Sequence, residues 1–347
     1  MKPILAITMG DPAGIGPEIV VKALSRKEIY DVCTPVVIGD HAALGDAINF
    51  CGLDLTINEI TDVKEAKGKN GKIDLINLNY LTEKFWKYKE VSEICGKASF
   101  EYVRRAIDMA MSNIVHGVIT GPICKESINK AGFNYNGHTE IFAEFTNTKD
   151  YGMLLIANTL RVIHVTTHVP LRKACEMITT ERVYSTIKLA VDAMDALGIN
   201  DPRIAVAGFN PHAGENNLFG DEEILAIIPA VEKAISEGIN VEGPLPPDTV
   251  FVKALNGSYD TVVAMYHDQG HIPVKLSGFK LTENKNVPSS VSGVNCTIGL
   301  PIIRVSVDHG TAFDIAGEGI ADDGSLIDAI KTGVLMAKAK FKDLQVK

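Results

Sequence analysis

Short runs of apolar, largely β-branched residues recur along the chain, separated by stretches whose apolar positions repeat every three to four residues. Ile4–Met9, Thr34–Ile38, Gly117–Thr120, Arg161–Thr167, Arg203–Gly208, Thr261–Met265 and Ile302–Val307 read as buried strands. Phe100–Val115, Glu181–Leu197, Glu222–Glu237 and Ser325–Phe341 carry the spacing of helices with one buried face. Thr180 before Glu181 and Asp221 before Glu222 read as helix caps. Apolar strands alternating with amphipathic helices predict an α/β fold built on a largely parallel sheet. Lys280–Gly293, polar and rich in Asn, Ser and Gly, reads as a long loop, either a lid beside a site or a surface insertion.

Length and charge narrow the function. A chain of 347 residues fits one large or two medium lobes. Its net charge of −9 leaves no basic stripe with which to bind nucleic acid, so a phosphate-bearing substrate must meet a local cationic pocket. The six cysteines are scattered and form no C-x-x-C pair, which suits reduced thiols rather than disulfides or a zinc ribbon. The apolar run Ile4–Met9 is too short for a signal segment, and no stretch approaches the roughly 18 apolar residues of a membrane span. The expectation is a soluble cytoplasmic protein with no membrane partner.

Residues 261–275 concentrate the candidate chemistry. The strand Thr261–Met265 empties into His267, Asp268 and His271, with Gly270 loosening the turn and Lys275 just beyond. Ligands of open α/β sheets sit at the carboxyl ends of strands, so these residues suit an anionic, metal-chelating substrate. His168 and His212 also follow strand-like runs. If the three strands lie parallel in one sheet, three imidazoles project from one edge, as in a catalytic divalent-metal site with an open position. Three separately hydrogen-bonded structural histidines fit the same positions. His164 lies about 13 Å from His168 along an extended strand and reads as structural. His267 and His271 have the spacing of a helical zinc protease motif, but its Glu is absent and Gly270 and Pro273 are expected to break a helix.

Other candidates stay open on the residues alone. Gly10 to Glu18 matches neither G-x-G-x-x-G nor a P-loop and reads as a tight structural turn. His138 and Thr139 could contact a substrate hydroxyl or carboxylate, or Thr139 could cap the helical run that follows. Arg304 suits a phosphate or an interface ion pair.

Together these motifs resemble the 4-hydroxythreonine-4-phosphate dehydrogenase family of pyridoxal phosphate biosynthesis. The resemblance runs along nearly the whole chain through Met9-Gly-Asp-Pro-Ala-Gly-Ile-Gly-Pro-Glu18, Gly137-His-Thr-Glu140, Phe209-Asn-Pro-His-Ala-Gly-Glu215, Met265-Tyr-His-Asp-Gln-Gly270 and Ser306-Val-Asp-His-Gly-Thr-Ala312. It implies two α/β/α lobes with a central cleft, like isocitrate and isopropylmalate dehydrogenases, with discontinuous lobes forming one catalytic unit over 1–347. It also implies a homodimer whose metal site is shared across the interface. Carried over by position, the ligands of one divalent cation, zinc among the candidates, fall on His168, His212 and His267. Substrate contacts fall on His138, Thr139, Lys275, Asn295 and Arg304, while Asp248, Lys275 and bound water are candidate general bases. The turn from His309 to Gly317 is similar to the cofactor loop of the relatives, placing NAD against Gly310, Thr311 and Asp314.

Three features depart from the vitamin-pathway pattern: His271-Ile-Pro-Val-Lys275 after Gly270, the Lys280–Gly293 insertion, and Phe313-Asp314. They are similar to a sister group acting on four-carbon acid-sugar phosphates. The resemblance therefore implies oxidation of the C3 hydroxyl of 4-phospho-D-threonate and decarboxylation to dihydroxyacetone phosphate. The alternatives are 4-phospho-D-erythronate and the 2-amino vitamin-pathway substrate. The intact set of His168, His212, His267, Lys275 and Arg304 speaks against a non-catalytic sugar-phosphate binding protein.

Overall fold

A computed structural model describes residues 1–82, 86–281, 288–291 and 293–341. The chain forms two compact units, each assembled from separate segments. One comprises Met1–Lys149, Ser289–Val294 and Leu300–Lys347; the other comprises Asp150–Pro288 and Asn295–Gly299. Among the described residues no helix is long and apolar enough to cross a membrane.

In the first unit the strands run in the order Thr56–Glu59, Lys72–Asn77, Thr34–Gly39, Ile4–Thr8, Gly117–Thr120 and Arg304–Val307, with every neighbouring pair parallel. Leu5, Ile7, Val118 and Ile119 are fully buried, as expected of strands covered on both faces. Helix Gly324–Lys340 covers one face: a Cβ on Gly333 would sit 2.6 Å from Ile119 Cδ1, so glycine is what lets the helix lie so close. Helix Glu93–Met111 packs on Ile4–Thr8 and Thr34–Gly39. The chain winds outward from Ile4–Thr8 in one direction and resumes at Gly117–Thr120 on the other side, so the order reverses between these two strands. At their carboxyl ends Thr8 pairs with Thr120, and Thr120 with Ser306, aligning three hydroxyl residues across adjacent strands.

The turn after the first strand is tight. Gly10 has φ +81°, and a Cβ there would lie 2.4 Å from the Pro122 carbonyl oxygen. Next to it, Asp11 is fully buried. Burial lifts its carboxyl to about 6, against the stabilising pull of the Ala13 N–H at 2.9 Å and the Ser127 hydroxyl.

In the second unit the order is Val294–Ile298, Gly152–Ala157, Leu160–His164, Thr261–Ala264, Ile204–Ala207 and Val241–Leu245. Gly152–Ala157 and Leu160–His164 form an antiparallel hairpin. From Leu160–His164 onward the neighbours are parallel. Met153, Leu155, Val162, Ala205, Val262 and Ala264 point to one face, where they pack with Phe251 and Ala254 of helix Pro247–Leu255 and with Val274. Helix Thr180–Ala196 packs against Gly152–Ala157, Leu160–His164, Ile204–Ala207 and Thr261–Ala264, its Leu189 lying close to Gly152 on the side of Ile163.

Several sequence expectations are corrected. The cap before Glu181 is Thr179, whose hydroxyl accepts the Arg182 N–H at 3.2 Å, rather than Thr180. Asp221 does not cap; Glu222 holds the cap position without a side-chain bond, and the expected helix Glu222–Glu237 opens with a π-helical turn, Glu223–Ile227, ahead of Ile228–Ser236. Pro229 lies inside this continuous run, where it lacks the N–H that a regular helix would direct to the Leu225 carbonyl, which suits the wider turn before it. The helix expected over Phe100–Val115 is Glu93–Met111. Within the expected loop Lys280–Gly293, residues 280, 281 and 288–291 are extended; 282–287 and 292 lie outside the described residues.

Asp11 makes folding pH-dependent in a defined direction. A carboxyl raised on folding contributes stability that is full below its ordinary value near 3.8 and is lost as pH rises through about 6. Between pH 5 and 7.5 the wild type is therefore expected to lose on the order of 1 kcal/mol relative to Asp11→Asn. Urea unfolding of both chains at the two pH values measures this, and parallel pH dependences would contradict it.

Candidate active site

The three strands that precede His168, His212 and His267 are neighbours in the second unit, and both pairings are parallel. Their carboxyl ends therefore share one edge of the sheet. His168 and His267 meet there, with ring centroids 5.4 Å apart and planes 47° from parallel. They line a pocket of about 370 Å³ together with Thr167, Leu171, Tyr266 and Asp268. Two imidazoles bound tetrahedrally to one zinc-sized cation, with metal–nitrogen bonds near 2.0–2.1 Å, would have centroids roughly 5 Å apart. The pair fits such an ion. The Nδ1 of His267 is hydrogen-bonded to the Asp268 carboxylate at 2.7 Å, so Nε2 is the ring nitrogen suited to a cation.

His212 is placed differently. It lies in the turn Pro211–Gly214, where His212 and Ala213 both take left-handed backbone conformations, and its ring is 6.3 Å from Phe219. Among the described residues no three His, Cys, Asp or Glu side chains form a group able to hold a metal. The sheet edge thus assembles two of the three expected ligands within this chain.

The expectation that Gly270 and Pro273 break a helix is wrong. His267–Gly278 is one helix with Pro273 inside it. Tertiary packing overrides local propensity here: Gly270 is buried against strand Leu160–His164, and Val274 joins the core of that face. His267 and His271 consequently stack, with centroids 3.6 Å apart and planes 12° from parallel. Nδ1 of His271 donates to the His267 carbonyl at 2.9 Å. His164 stands behind, its ring 4.8 Å from that of His271. Burial first, then the nearby His271, pushes the His164 imidazole down to about 3, so it is neutral.

Lys275 follows His271 by four residues on the same helix and is half-buried. Asp248 is exposed in the first turn of helix Pro247–Leu255. Asn295 is half-buried on Val294–Ile298, its amide 2.9 Å from Met153 Sδ.

The first unit holds a second constellation. Arg304 is 2 % exposed, donates through Nη2 to the Thr120 hydroxyl at 3.0 Å, and has its guanidinium 5.6 Å from the Phe142 ring centroid. Burial, reinforced by the Arg304 charge, holds His138 well below its usual value and therefore neutral. Its buried Nε2 has no hydrogen-bond partner among the described residues, a position suited to a substrate oxygen. Helix His138–Phe145 is capped by Gly137, so Thr139 lies inside the first turn and is not the cap. Thr311 packs against the opening turn: its carbonyl accepts the Ile15 N–H at 3.0 Å, and a Cβ on Gly14 would lie 2.8 Å from Thr311 Cβ. Gly310 faces open space, and the Asp314 carbonyl accepts from Lys89 Nζ at 2.7 Å.

The sequence reading singles out Asp268 but not its bond to His267 Nδ1, and it misses Thr120, Phe142 and the stacking role of His271. Thr120 could have been suspected as the hydroxyl ending an apolar strand. Phe142 carried no signal that separates it from an ordinary core aromatic.

A family model described as pyridoxal phosphate biosynthetic protein PdxA matches residues 31–333. A protein of Oceanobacillus iheyensis, provisionally named D-threonate 4-phosphate dehydrogenase, is 49 % identical over 341 residues, covering 98 % of this chain and 99 % of the relative. The crystal structure of 4-hydroxythreonine-4-phosphate dehydrogenase from Klebsiella pneumoniae is similar with a TM-score of 0.86 and 41 % identity, covering 97 % of this chain and 98 % of that one. The corresponding Burkholderia phymatum structure gives 0.83 and 44 %, with the same coverage.

The seating of helix on strand can be tested at Gly270. A Cβ there would lie 2.3 Å from His164 Nε2 and 2.7 Å from Val162 Cγ1. Alanine gains about 1 kcal/mol of helix propensity, but the overlap is expected to cost more, for a net loss of about 1–2 kcal/mol in Gly270→Ala. Urea denaturation reads this; equal or greater stability would show that the contact is slack.

Proposed function

This chain belongs to the PdxA family, and from that premise we propose that it oxidises 4-phospho-D-threonate at C3 with NAD as hydride acceptor and releases carbon dioxide to leave dihydroxyacetone phosphate. It is a dehydrogenase acting on phosphorylated four-carbon substrates. The observation that supports a metal-assisted oxidation is the His168–His267 pair, spaced for one cation, with Asp268 bonded to His267 Nδ1.

In the proposed reaction the C3 hydroxyl loses its proton to a base while C3 gives up its own hydrogen as hydride to NAD, so that the C3–O bond becomes a carbonyl and a 3-keto acid results. The C1–C2 bond then breaks, carbon dioxide leaves, and the resulting enolate takes a proton at C2. A divalent cation, when bound, would supply Lewis acidity at the hydroxyl and keto oxygens. His168 and His267 would hold it, with His212 as the third ligand contributed across a homodimer. Exposed apolar side chains beside these ligands support a partner surface: Leu171 lines the His168 pocket, and Leu218 and Phe219 follow His212. Arg304 would grip an anionic group of the substrate bidentately while Thr120 fixes its orientation. Neutral His138 would donate to or accept from a substrate oxygen, with Thr139, Asn295 and Lys275 as further contacts. Lys275 and Asp248 are the candidate bases, and Gly310, Thr311 and Asp314 would contact NAD. The six cysteines, scattered and without a C-x-x-C pair, fit a reducing compartment, and we place the enzyme in the cytoplasm.

The 2-amino substrate, 4-hydroxythreonine 4-phosphate, is the second reading, favoured by the solved relatives at 41–44 % identity. The 49 % relative named for D-threonate 4-phosphate favours the 2-hydroxy acid. NADH formation with 4-phospho-D-threonate, 4-phospho-D-erythronate and the 2-amino compound, each with divalent metal, decides between them. The threonate is expected to lead in kcat/KM by roughly tenfold or more, with stoichiometric dihydroxyacetone phosphate. Faster turnover of the 2-amino substrate overturns the assignment. Arg304→Lys is expected to lower kcat/KM by about tenfold or more, because a point charge cannot replace the planar fork; an unchanged value would remove Arg304 from substrate binding.

A further inference from the structure

His267 is enclosed by more than a metal ligand needs. Asp268 holds its Nδ1 at 2.7 Å, and one face of its ring is covered by His271 with centroids 3.6 Å apart. His271 is itself fixed at two points. Its Nδ1 donates to the main-chain oxygen of His267 at 2.9 Å, and its ring lies 4.8 Å from that of fully buried His164 at the end of Leu160–His164. Gly270 brings the helix down onto that strand, so the row runs from the sheet interior through His271 to His267 and His168. An aliphatic residue at 271 could fill the volume, but it would offer neither a flat surface to the His267 ring nor a donor to the His267 carbonyl.

We infer that His271 is a positioning residue: pinned by the His267 carbonyl and packed beside His164, it holds the His267 imidazole in the orientation that presents Nε2 to the pocket shared with His168. The inference rests on the metal-binding role proposed above for His168 and His267 and deepens it. Fixing the ring before the ion arrives removes an ordering cost from binding, and partners of this kind typically alter metal affinity by about 10–100-fold.

The test is titration of the full-length, metal-free protein with cobalt(II) against a colorimetric chelator, comparing wild type with His271→Leu, His271→Phe and His267→Ala. Thermal unfolding without metal verifies that each chain is folded. His271→Leu is expected to weaken cobalt binding by about tenfold or more. His271→Phe keeps a flat ring on His267 and is expected to recover most of that loss, which a general packing defect would not allow. His267→Ala is expected to lose specific binding. If His271→Leu does not fold, His271→Asn, which lacks the ring, reads the same quantity. His271→Leu or His271→Asn within about twofold of wild type, while His267→Ala abolishes binding, overturns the positioning role alone. A wild-type chain that takes up no cobalt, or a His267→Ala chain that binds it unchanged, overturns the metal reading and this inference with it.

Discussion

The contact of helix His267–Gly278 with strand Leu160–His164 at Gly270 is the constraint on which the histidine arrangement depends. Helix and strand approach so closely that a single methyl group would overlap both His164 and Val162. That approach lets a helix survive a glycine and an internal proline, because burying Val274 against the sheet offsets the propensity lost at Gly270 and Pro273. Once the helix persists, residues four apart must share a face. His267, His271 and Lys275 then follow in sequence along it, and His267 comes to rest beside His168, in the bend after the neighbouring strand Leu160–His164.

The sequence is legible where burial leaves a local pattern and misleads where tertiary packing alone decides. The strands were visible because each is short, apolar and β-branched, and buried on both faces; Thr261–Ala264 and Gly117–Thr120 were placed to within a residue. Other strands are not marked in the sequence: Thr56–Glu59 supplies no apolar run, and Gly152–Ala157, although buried, is rich in Leu and Met rather than β-branched residues. The adjacency and direction of the strands before His168, His212 and His267 were inferred only conditionally, yet that condition is what the register supplies. The break expected at Gly270 failed because local propensity costs about 1 kcal/mol at glycine, a sum that tertiary burial readily exceeds. Nothing local announces that exchange. His212 illustrates the opposite limit: its position after a strand was legible, but its left-handed backbone depends on the turn Pro211–Gly214 and turns it away from a purely strand-based expectation.

Electrostatics separates the chemistry of the two units. A phosphorylated acid and the protein that binds it are both anionic, since the chain carries a net charge of −9. The net charge therefore supplies no long-range attraction, and at physiological salt its repulsion fades beyond about 8 Å. Recognition has to act at contact distance. Arg304 is suited to that because it is buried, permanently charged and oriented by Thr120, so its field is exerted in a medium less polarisable than water. The neighbouring His138 is held neutral by burial and by that same charge, and so contributes directional hydrogen bonding without a second buried cation. In the second unit the neutral His164 plays a comparable part: an imidazolium at the base of the histidine row would oppose a divalent cation at its tip, whereas a neutral ring supplies packing without that cost. Both constellations thus use burial to hold one imidazole neutral, His138 beside Arg304 in the first unit and His164 behind His271 in the second.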